Sequence, residues 1–164
     1  MLTADLRSIA FFRGCSAKEL RQVSRLATPV DVTAGRVLCA EGAIGAEFFV
    51  ILRGCAYVER AGRRIATLVP GQTFGEVALS GRNAVPCRTA TVVAAEQMTL
   101  LVFTRAEFNS LIDTVPLVAR RLLERVGTLA LSFAAVSDAA PENGAGASTR
   151  GSNADGHGSI ASVR

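Results

Sequence analysis

From residue 29 to residue 104 the sequence is divided into short apolar segments, most of which end at a glycine. Glycine accepts the positive backbone angles of tight turns, so these segments are expected to be strands that reverse direction at short intervals. Strands this short and this closely spaced predict a mainly β fold, either a β-sandwich or a jelly roll. The segments cover residues 30–35, 36–42, 47–54, 55–62, 63–71, 88–95 and 97–104.

Helices are expected on both sides of this β region. On the N-terminal side, Ser16 and Glu19 have capping-box spacing and are followed by apolar residues at helical intervals. On the C-terminal side, Thr104 can cap a short helix that begins at Arg105, and Pro116 suits the first turn of a longer one. The predicted layout is an N-terminal helical segment at 5–27, a β-roll at 29–104 and C-terminal helices at 105–136.

Residues 137–164 differ in composition from the rest of the chain. They are rich in Gly, Ser, Ala and Asn and contain hardly any large apolar side chains. Such a segment cannot bury enough apolar surface to fold, so a disordered low-complexity tail is predicted there. The tail contains His157, the only histidine of the chain. A histidine-based catalytic or metal centre in the folded part, residues 1–136, is therefore excluded.

The longer C-terminal helix carries an apolar stripe with alternating steps of four and three residues. Three heptads of this kind favour pairing with a second helix, so a homodimer through the 115–136 helix is expected. The alternative interpretation is that the stripe covers the chain's own β domain, and Gly127 weakens the helix by about 1 kcal/mol. The stripe consists of Val115, Ala119, Leu122, Val126, Leu129, Phe133 and Val136.

Composition argues against several classes of protein. No apolar run approaches the roughly 20 residues of a membrane-spanning helix. Residues 1–14 lack the order of a secretory signal, so a cytoplasmic location is expected. The net charge of +4 comes from arginines spread along the chain, a distribution that does not indicate nucleic-acid binding.

The cysteines do not form a metal-binding or disulfide pattern. They are far apart, with no CxxC pair, and are predicted to be reduced and mostly buried. The alternative for Cys87, which is next to Arg88, is an oxidant-sensing thiol with a lowered pKa. The four cysteines are Cys15, Cys39, Cys55 and Cys87.

The segment 74–92, FGEVALSGRNAVPCRTATV, combines a glycine–acid pair with an arginine on the following strand. Residues 77–79 can form one helical turn, whose first amides lack internal partners and can bind an anion. Arg88 can hold two phosphate oxygens with its planar guanidinium group. Glu76, as an ionised carboxylate, can only accept hydrogen bonds, so it suits a neutral hydroxyl of the same ligand. A sugar phosphate satisfies both requirements.

This segment resembles the phosphate-binding cassette of the cyclic nucleotide-binding domain family, which includes the catabolite activator protein, protein kinase A regulatory subunits and cyclic nucleotide-gated channels. The family pattern is F-G-E-apolar-A-L followed by P-R-[TAS]-A-[TS]-V, and residues 74–79 and 88–92 match it. Residues 35–54 resemble the glycine and aromatic signature of the family's barrel. The resemblance covers about residues 8–136. It implies a β jelly-roll (double-stranded β-helix) barrel with an N-terminal helix and a long C-terminal helix.

The resemblance also implies the roles of individual residues. Glu76 would bind the ribose 2'-hydroxyl and Arg88 the cyclic phosphate, and further phosphate contacts would come from the amides of Gly75, Val77 and Ala78 and the hydroxyl of Thr89. The loop at 80–87 is longer than in the kinase regulatory subunits, and Cys87 replaces the usual proline. Both departures bear on how Arg88 approaches the ligand.

Recognition of the base is less constrained by the sequence. The resemblance implies contacts from the long helix, where a solvated polar face is the alternative interpretation. cAMP is preferred to cGMP on family frequency, although Thr89 follows Arg88 as it does in cGMP-selective sites. The candidate base contacts are Arg120, Arg121, Arg125 and Thr128.

The expected function is a non-enzymatic sensor, in which a cyclic nucleotide moves the C-terminal helices. One alternative is a degenerate domain that binds a protein partner without a ligand. Another is a fragment of an activator-type transcription regulator. Such a regulator needs a helix-turn-helix after the long helix, and residues 137–164 supply none, so this chain alone should not bind DNA. A metal-dependent cupin-type enzyme is excluded by the lack of a histidine cluster, so no catalytic residue, metal or cofactor is expected. The sequence identifies no downstream protein partner.

Overall fold

The computed structural model describes residues 6–79 and 87–137. Its eight strands form two antiparallel four-stranded sheets, with the strand order β1-β8-β3-β6 in one and β2-β7-β4-β5 in the other. The predicted mainly β fold with flanking helices is confirmed. The strands are β1 (Thr28–Val32), β2 (Val37–Cys39), β3 (Glu47–Arg53), β4 (Ala56–Arg60), β5 (Arg63–Leu68), β6 (Thr73–Phe74), β7 (Thr91–Ala94) and β8 (Met98–Thr104).

Strand β3 shows how the two sheets and the helices share one core. Successive side chains on a strand point to opposite faces. Phe49 and Ile51 therefore pack between the two sheets, whereas Phe48 and Val50 pack against the helical layer. Both faces of the strand are apolar because both are covered, and β8 follows the same alternation.

The helices that begin at Ala17, Arg105 and Pro116 start where the sequence predicts them, and the short cassette helix begins at Glu76, one residue before the predicted turn at 77–79. A 3-10 helix (Ala10–Phe12) and α1 (Ala17–Leu26) precede the strands, and α2 (Glu76–Leu79), α3 (Arg105–Thr114) and α4 (Pro116–Ser137) follow β6 or β8. The Ser16 side chain caps α1, with the Glu19 carboxylate accepting in return from the Ser16 amide at 2.7 Å. Thr104 and Glu107 cap α3 in the same way. These capping boxes fix both helix starts locally.

The apolar stripe of α4 is covered, in its first part, by this chain itself. Val115 and Leu122 are buried in the core cluster that also contains Phe12, Leu20 and Phe108. This part therefore follows the alternative interpretation, in which the stripe packs on the chain's own domain. The homodimer through residues 115–136 stays a prediction.

Residues 138–164 of the tail predicted at 137–164, and residues 80–86 of the long cassette loop, lie outside the described residues, whereas Ser137 is the last residue of α4. The predicted domain boundary at residue 136 also stays a prediction. None of the helices in the part of the chain that the structure describes is long and apolar enough to cross a membrane.

Candidate functional site

Gly75 links β6 to α2 and brings two backbone segments unusually close together. Its φ of +93° belongs to the left-handed region that favours glycine. A Cβ at this position would lie 2.6 Å from Nη1 of Arg88 and 2.6 Å from the carbonyl oxygen of Glu47. Glycine is therefore required both by the turn and by the approach of the arginine.

Arg88 is buried, and its guanidinium group is held from one side. Nη1 donates to the carbonyl oxygens of Glu47 at 2.9 Å and Gly75 at 3.2 Å, and Nη2 donates to the Glu47 carboxylate at 3.0 Å. Nε of Arg88 donates no hydrogen bond to any residue that the structure describes. The edge formed by Nε and Nη2 can therefore receive a pair of oxygen atoms, which is the bidentate geometry of arginine with phosphate.

The backbone at residues 87 and 88 is fixed in spite of the cysteine that replaces the usual proline. The amide of Arg88 donates to Ala43 at 2.8 Å, and its carbonyl accepts from Gly42 at 2.9 Å. Cys87 forms an isolated antiparallel bridge with Ile44. The arginine thus reaches Gly75 and Glu47 from a backbone anchored to residues 42–44.

Glu76 is the buried acid of the site, with 2% of its surface exposed. Its Oε1 accepts from Nε of Arg125 on α4 at 3.3 Å. Its Oε2 is buried and has no hydrogen-bond partner among the described residues. Burial raises the pKa of the Glu76 carboxyl, and the positive charge of Arg125 acts in the opposite direction. Because an unpartnered buried carboxylate oxygen is costly, Oε2 is suited to accept from a ligand hydroxyl.

A cavity of about 470 Å³ brings these groups to one surface. Gly75, Glu76, Arg88 and Thr89 line it, and the cassette thus faces a single space. Burial raises the pKa of the Cys39 thiol, which also lines the cavity, to about 11, so this thiol stays protonated at neutral pH. The remaining lining residues are Val58, Arg60, Ile65, Ala66, Leu68, Thr73, Phe74, Val77, Ala90, Val92 and Arg125.

Three of the four candidate base contacts on α4 occupy different places in the structure. Arg125 lines the cavity and also donates to the carbonyl oxygen of Thr73 at 2.9 Å. Arg121 instead donates to the carbonyl oxygens of Phe11 and Arg13, each at 2.6 Å, and so ties α4 to the N-terminal segment. Thr128 donates to Glu124 at 2.9 Å.

Arg121, Arg125 and Thr128 also line a second cavity, which is bounded by Phe11 and Glu124 and measures about 390 Å³. Arg120 pairs with Glu124 at 3.3 Å on the exposed face of α4, in line with the alternative of a solvated face. Of these α4 residues, the structure places Arg125 on both cavities.

Sequence reasoning missed Glu47, which holds Arg88 through both its backbone and its side chain. The two residues are 41 positions apart, and Glu47 at the start of a strand gives no local signal of this role. It also missed β6, whose two residues are too few to show a strand pattern. A signal for Glu47 exists only once Arg88 is known to be buried, because a buried charge needs a counter-charge.

No cluster of three or more His, Cys, Asp or Glu side chains suited to a metal ion occurs within residues 6–79 and 87–137.

Comparison with known proteins identifies the family of this chain. A family model described as the cyclic nucleotide-binding domain matches residues 29–115, which is more than half of the chain. The chain belongs to the cyclic nucleotide-binding domain family. The matched region contains both the barrel and the cassette.

Individual relatives of this cyclic nucleotide-binding domain agree with that assignment. The chain is 31% identical over 124 residues to a cyclic nucleotide-gated potassium channel of Rhizobium etli, covering 73% of this chain and 34% of the channel. It therefore spans about a third of the length of that relative. The solved catabolite activator protein of Thermus thermophilus is similar with a TM-score of 0.64 and 26% identity, over 77% of this chain and 62% of the other.

The regulatory domain of Toxoplasma gondii PKA, solved with cAMP, shares the fold with a TM-score of 0.66 and 22% identity. The match covers 78% of this chain and 49% of that one. At this level of identity the similarity establishes the β-roll fold.

Proposed function

We propose that this chain is a non-enzymatic sensor domain that binds a cyclic nucleotide, with cAMP ahead of cGMP. The observation that carries the proposal is that one cavity contains two hydrogen-bonding groups for which the described residues supply no partner. Glu76 offers a buried acceptor in Oε2, and Arg88 offers the Nε–Nη2 edge. A cyclic nucleotide carries a hydroxyl donor and a phosphate anion on the same sugar, so one ligand supplies both partners.

The phosphate contacts follow from this placement. The two free oxygens of the cyclic phosphate bind Arg88, and the amides of Gly75, Val77 and Ala78 would complete the phosphate contacts at the start of α2. Thr89, which lines the cavity, contributes its hydroxyl. The ribose 2'-hydroxyl donates to Oε2 of Glu76, and this bond compensates the burial of the carboxylate.

The preference for cAMP is supported by three of the structural neighbours, which are described with cAMP or a cAMP analogue bound. Thr89 keeps cGMP as the second candidate, because its hydroxyl in the cavity can meet the guanine amino group. The base would lie beyond the sugar, between the cavity wall on β4 and β5 and the middle of α4, where Arg125 is the candidate contact among the α4 residues.

Coupling to the C-terminal helices is supported by the ion pair between Glu76 and Arg125. The proposed acceptor of the ribose hydroxyl is bonded directly to α4, at 3.3 Å from Nε of Arg125. A ligand that changes the hydrogen bonding or protonation of Glu76 changes what holds Arg125, and with it the preferred position of α4. The four free cysteines fit a sensor that works in the reducing cytoplasm.

Calorimetric titration with cAMP, cGMP and AMP tests the proposal. The wild-type chain should bind cAMP, and Arg88→Ala should weaken binding by about 2–3 kcal/mol, or about 30- to 150-fold, because charge-assisted phosphate bonds are lost. Arg120→Ala is the matched control, since Arg120 lies on the exposed face of α4 and should leave the affinity unchanged.

If the wild-type chain gives no heat with any cyclic nucleotide, the domain is instead the degenerate, protein-binding type. If it binds cAMP and Arg88→Ala binds as tightly, the ligand does not use the cassette. Either result overturns the proposed site.

A further inference from the structure

Some of the N–H groups of Arg88 donate to the protein itself, and the others are available to the cavity. A guanidinium group has five N–H bonds in a fixed plane. Both hydrogens of Nη1 go to the carbonyl oxygens of Glu47 and Gly75, and one hydrogen of Nη2 goes to the Glu47 carboxylate. Among the residues that the structure describes, no group accepts from the Nε hydrogen or the second Nη2 hydrogen, so both can donate to a ligand. Arg88 can therefore bind one pair of phosphate oxygens along a single edge.

The positive charge of Arg88 is already partly balanced by a carboxylate of the protein. Its side chain is 5% exposed, so solvent neutralises little of its charge, and the Glu47 carboxylate lies 3.0 Å from Nη2. The Glu47 side chain is 48% exposed. Glu76 and Arg125 form a second pair of opposite charges in the same cavity. These four side chains together carry no net charge, and Arg60 is a further charged residue that lines the cavity.

We propose that Glu47 makes the site selective for singly charged phosphodiesters over doubly charged phosphomonoesters. This inference rests on the proposed function and names a specificity residue of that site. Glu47 does not contact the ligand in this proposal. It acts through Arg88, by fixing the edge that the guanidinium presents and by reducing the positive charge available to an anion.

The physical reason is the difference in ligand charge. A cyclic nucleotide is a phosphodiester with one negative charge, whereas AMP is a monoester that carries a second charge above its second pKa of about 6. The carboxylate of Glu47 repels both ligands, but it repels the dianion about twice as strongly. The ratio of the two affinities isolates this effect. A weaker hold on Arg88 affects both ligands, whereas removal of the Glu47 charge favours the dianion.

The experiment compares three adenine nucleotides on the wild-type chain and on Glu47→Gln at mildly alkaline pH. The ligands are cAMP, AMP and the methyl ester of AMP, which is an open phosphodiester with one charge. In Glu47→Gln the ratio of cAMP affinity to AMP affinity should fall about tenfold, because the charges are several ångströms apart and partly screened by solvent. The ratio of cAMP to the methyl ester should stay unchanged, since both carry a single charge.

Glu96→Gln is the control for the change of charge, because Glu96 is exposed in the turn before β8 and contacts the Cys55 thiol. It should leave both ratios as in the wild type. An unchanged or increased cAMP-to-AMP ratio in Glu47→Gln overturns the inference, as does an equal fall in the ratio of cAMP to the methyl ester. A wild-type chain that binds no cyclic nucleotide contradicts the proposed function itself, and the two failures are thereby distinguishable.

Discussion

Replacing Gly75 with alanine should destabilise the fold and weaken ligand binding together. Gly75 has a φ of +93°, and an added Cβ would lie 2.6 Å from both Nη1 of Arg88 and the carbonyl oxygen of Glu47. The flexible arginine can move away, but the carbonyl belongs to β3 and is fixed in the sheet, so the backbone at residue 75 has to shift as well. Alanine at this position therefore displaces Arg88 from the place where it is held.

The size of the effect follows from two contributions. An L-residue in the left-handed region costs about 1–2 kcal/mol. Displacement of Nη1 removes its hydrogen bonds to Glu47 and Gly75, and bonds from a charged donor contribute about 1.5 kcal/mol each at the lower end of their range. The free energy of unfolding should fall by at least about 4–5 kcal/mol, since the clash with the Glu47 carbonyl adds to these two contributions, and this is a large share of the 5–15 kcal/mol that is typical of a domain.

Gly35→Ala is the control that separates the two contributions. Gly35 also has a positive φ, of +79°, but an added Cβ would meet nothing within 4 Å. Urea denaturation should show Gly35→Ala losing only the strain energy and Gly75→Ala losing at least about 3 kcal/mol more. In calorimetry, Gly35→Ala should bind cAMP normally, whereas Gly75→Ala should bind as weakly as Arg88→Ala. Equal losses of stability and affinity in the two alanine variants would refute this account of the cassette.

Two further variants test the helix α4. Arg121→Met removes the two 2.6 Å hydrogen bonds to Phe11 and Arg13, so urea denaturation should show a loss of about 2–3 kcal/mol with little change in cAMP affinity. A large loss of affinity at unchanged stability would instead make Arg121 a base contact. Arg125→Met removes the bond between Glu76 and α4, so cAMP should change amide hydrogen exchange in α4 of the wild type but not of this variant. If the ligand alters exchange in α4 equally in both proteins, the coupling does not pass through this ion pair.

The parts of the fold that could be predicted from the sequence are those fixed by neighbouring residues. The start of α1 depends on Ser16 and Glu19, which are three residues apart, and the start of α4 depends on Pro116 alone. The cassette was recognisable for the same reason, because Gly75 and Glu76 are adjacent and Arg88 follows on the next segment of chain. Local chemistry of this kind is visible in a sequence pattern.

The missed features depend on residues that are far apart in the sequence. The hold of Glu47 on Arg88 spans 41 positions, and Arg121 bonds to carbonyl groups that are 108 and 110 positions away. Backbone carbonyls carry no residue-specific signal, so the destination of Arg121 could not be predicted. The apolar stripe of α4 was ambiguous for a different reason, because a partner helix and the chain's own core both require apolar residues. The burial of Val115 and Leu122 shows that its first part is used within the chain.

Titration of the wild-type chain with cAMP measures whether the cassette binds a cyclic nucleotide. A cavity that holds the buried, unpartnered Oε2 of Glu76 beside the open edge of Arg88 should bind one cAMP molecule per chain. The account predicts a saturable heat signal that Arg88→Ala weakens and Arg120→Ala leaves unchanged. A folded wild-type chain that gives no heat with cAMP or cGMP would contradict it.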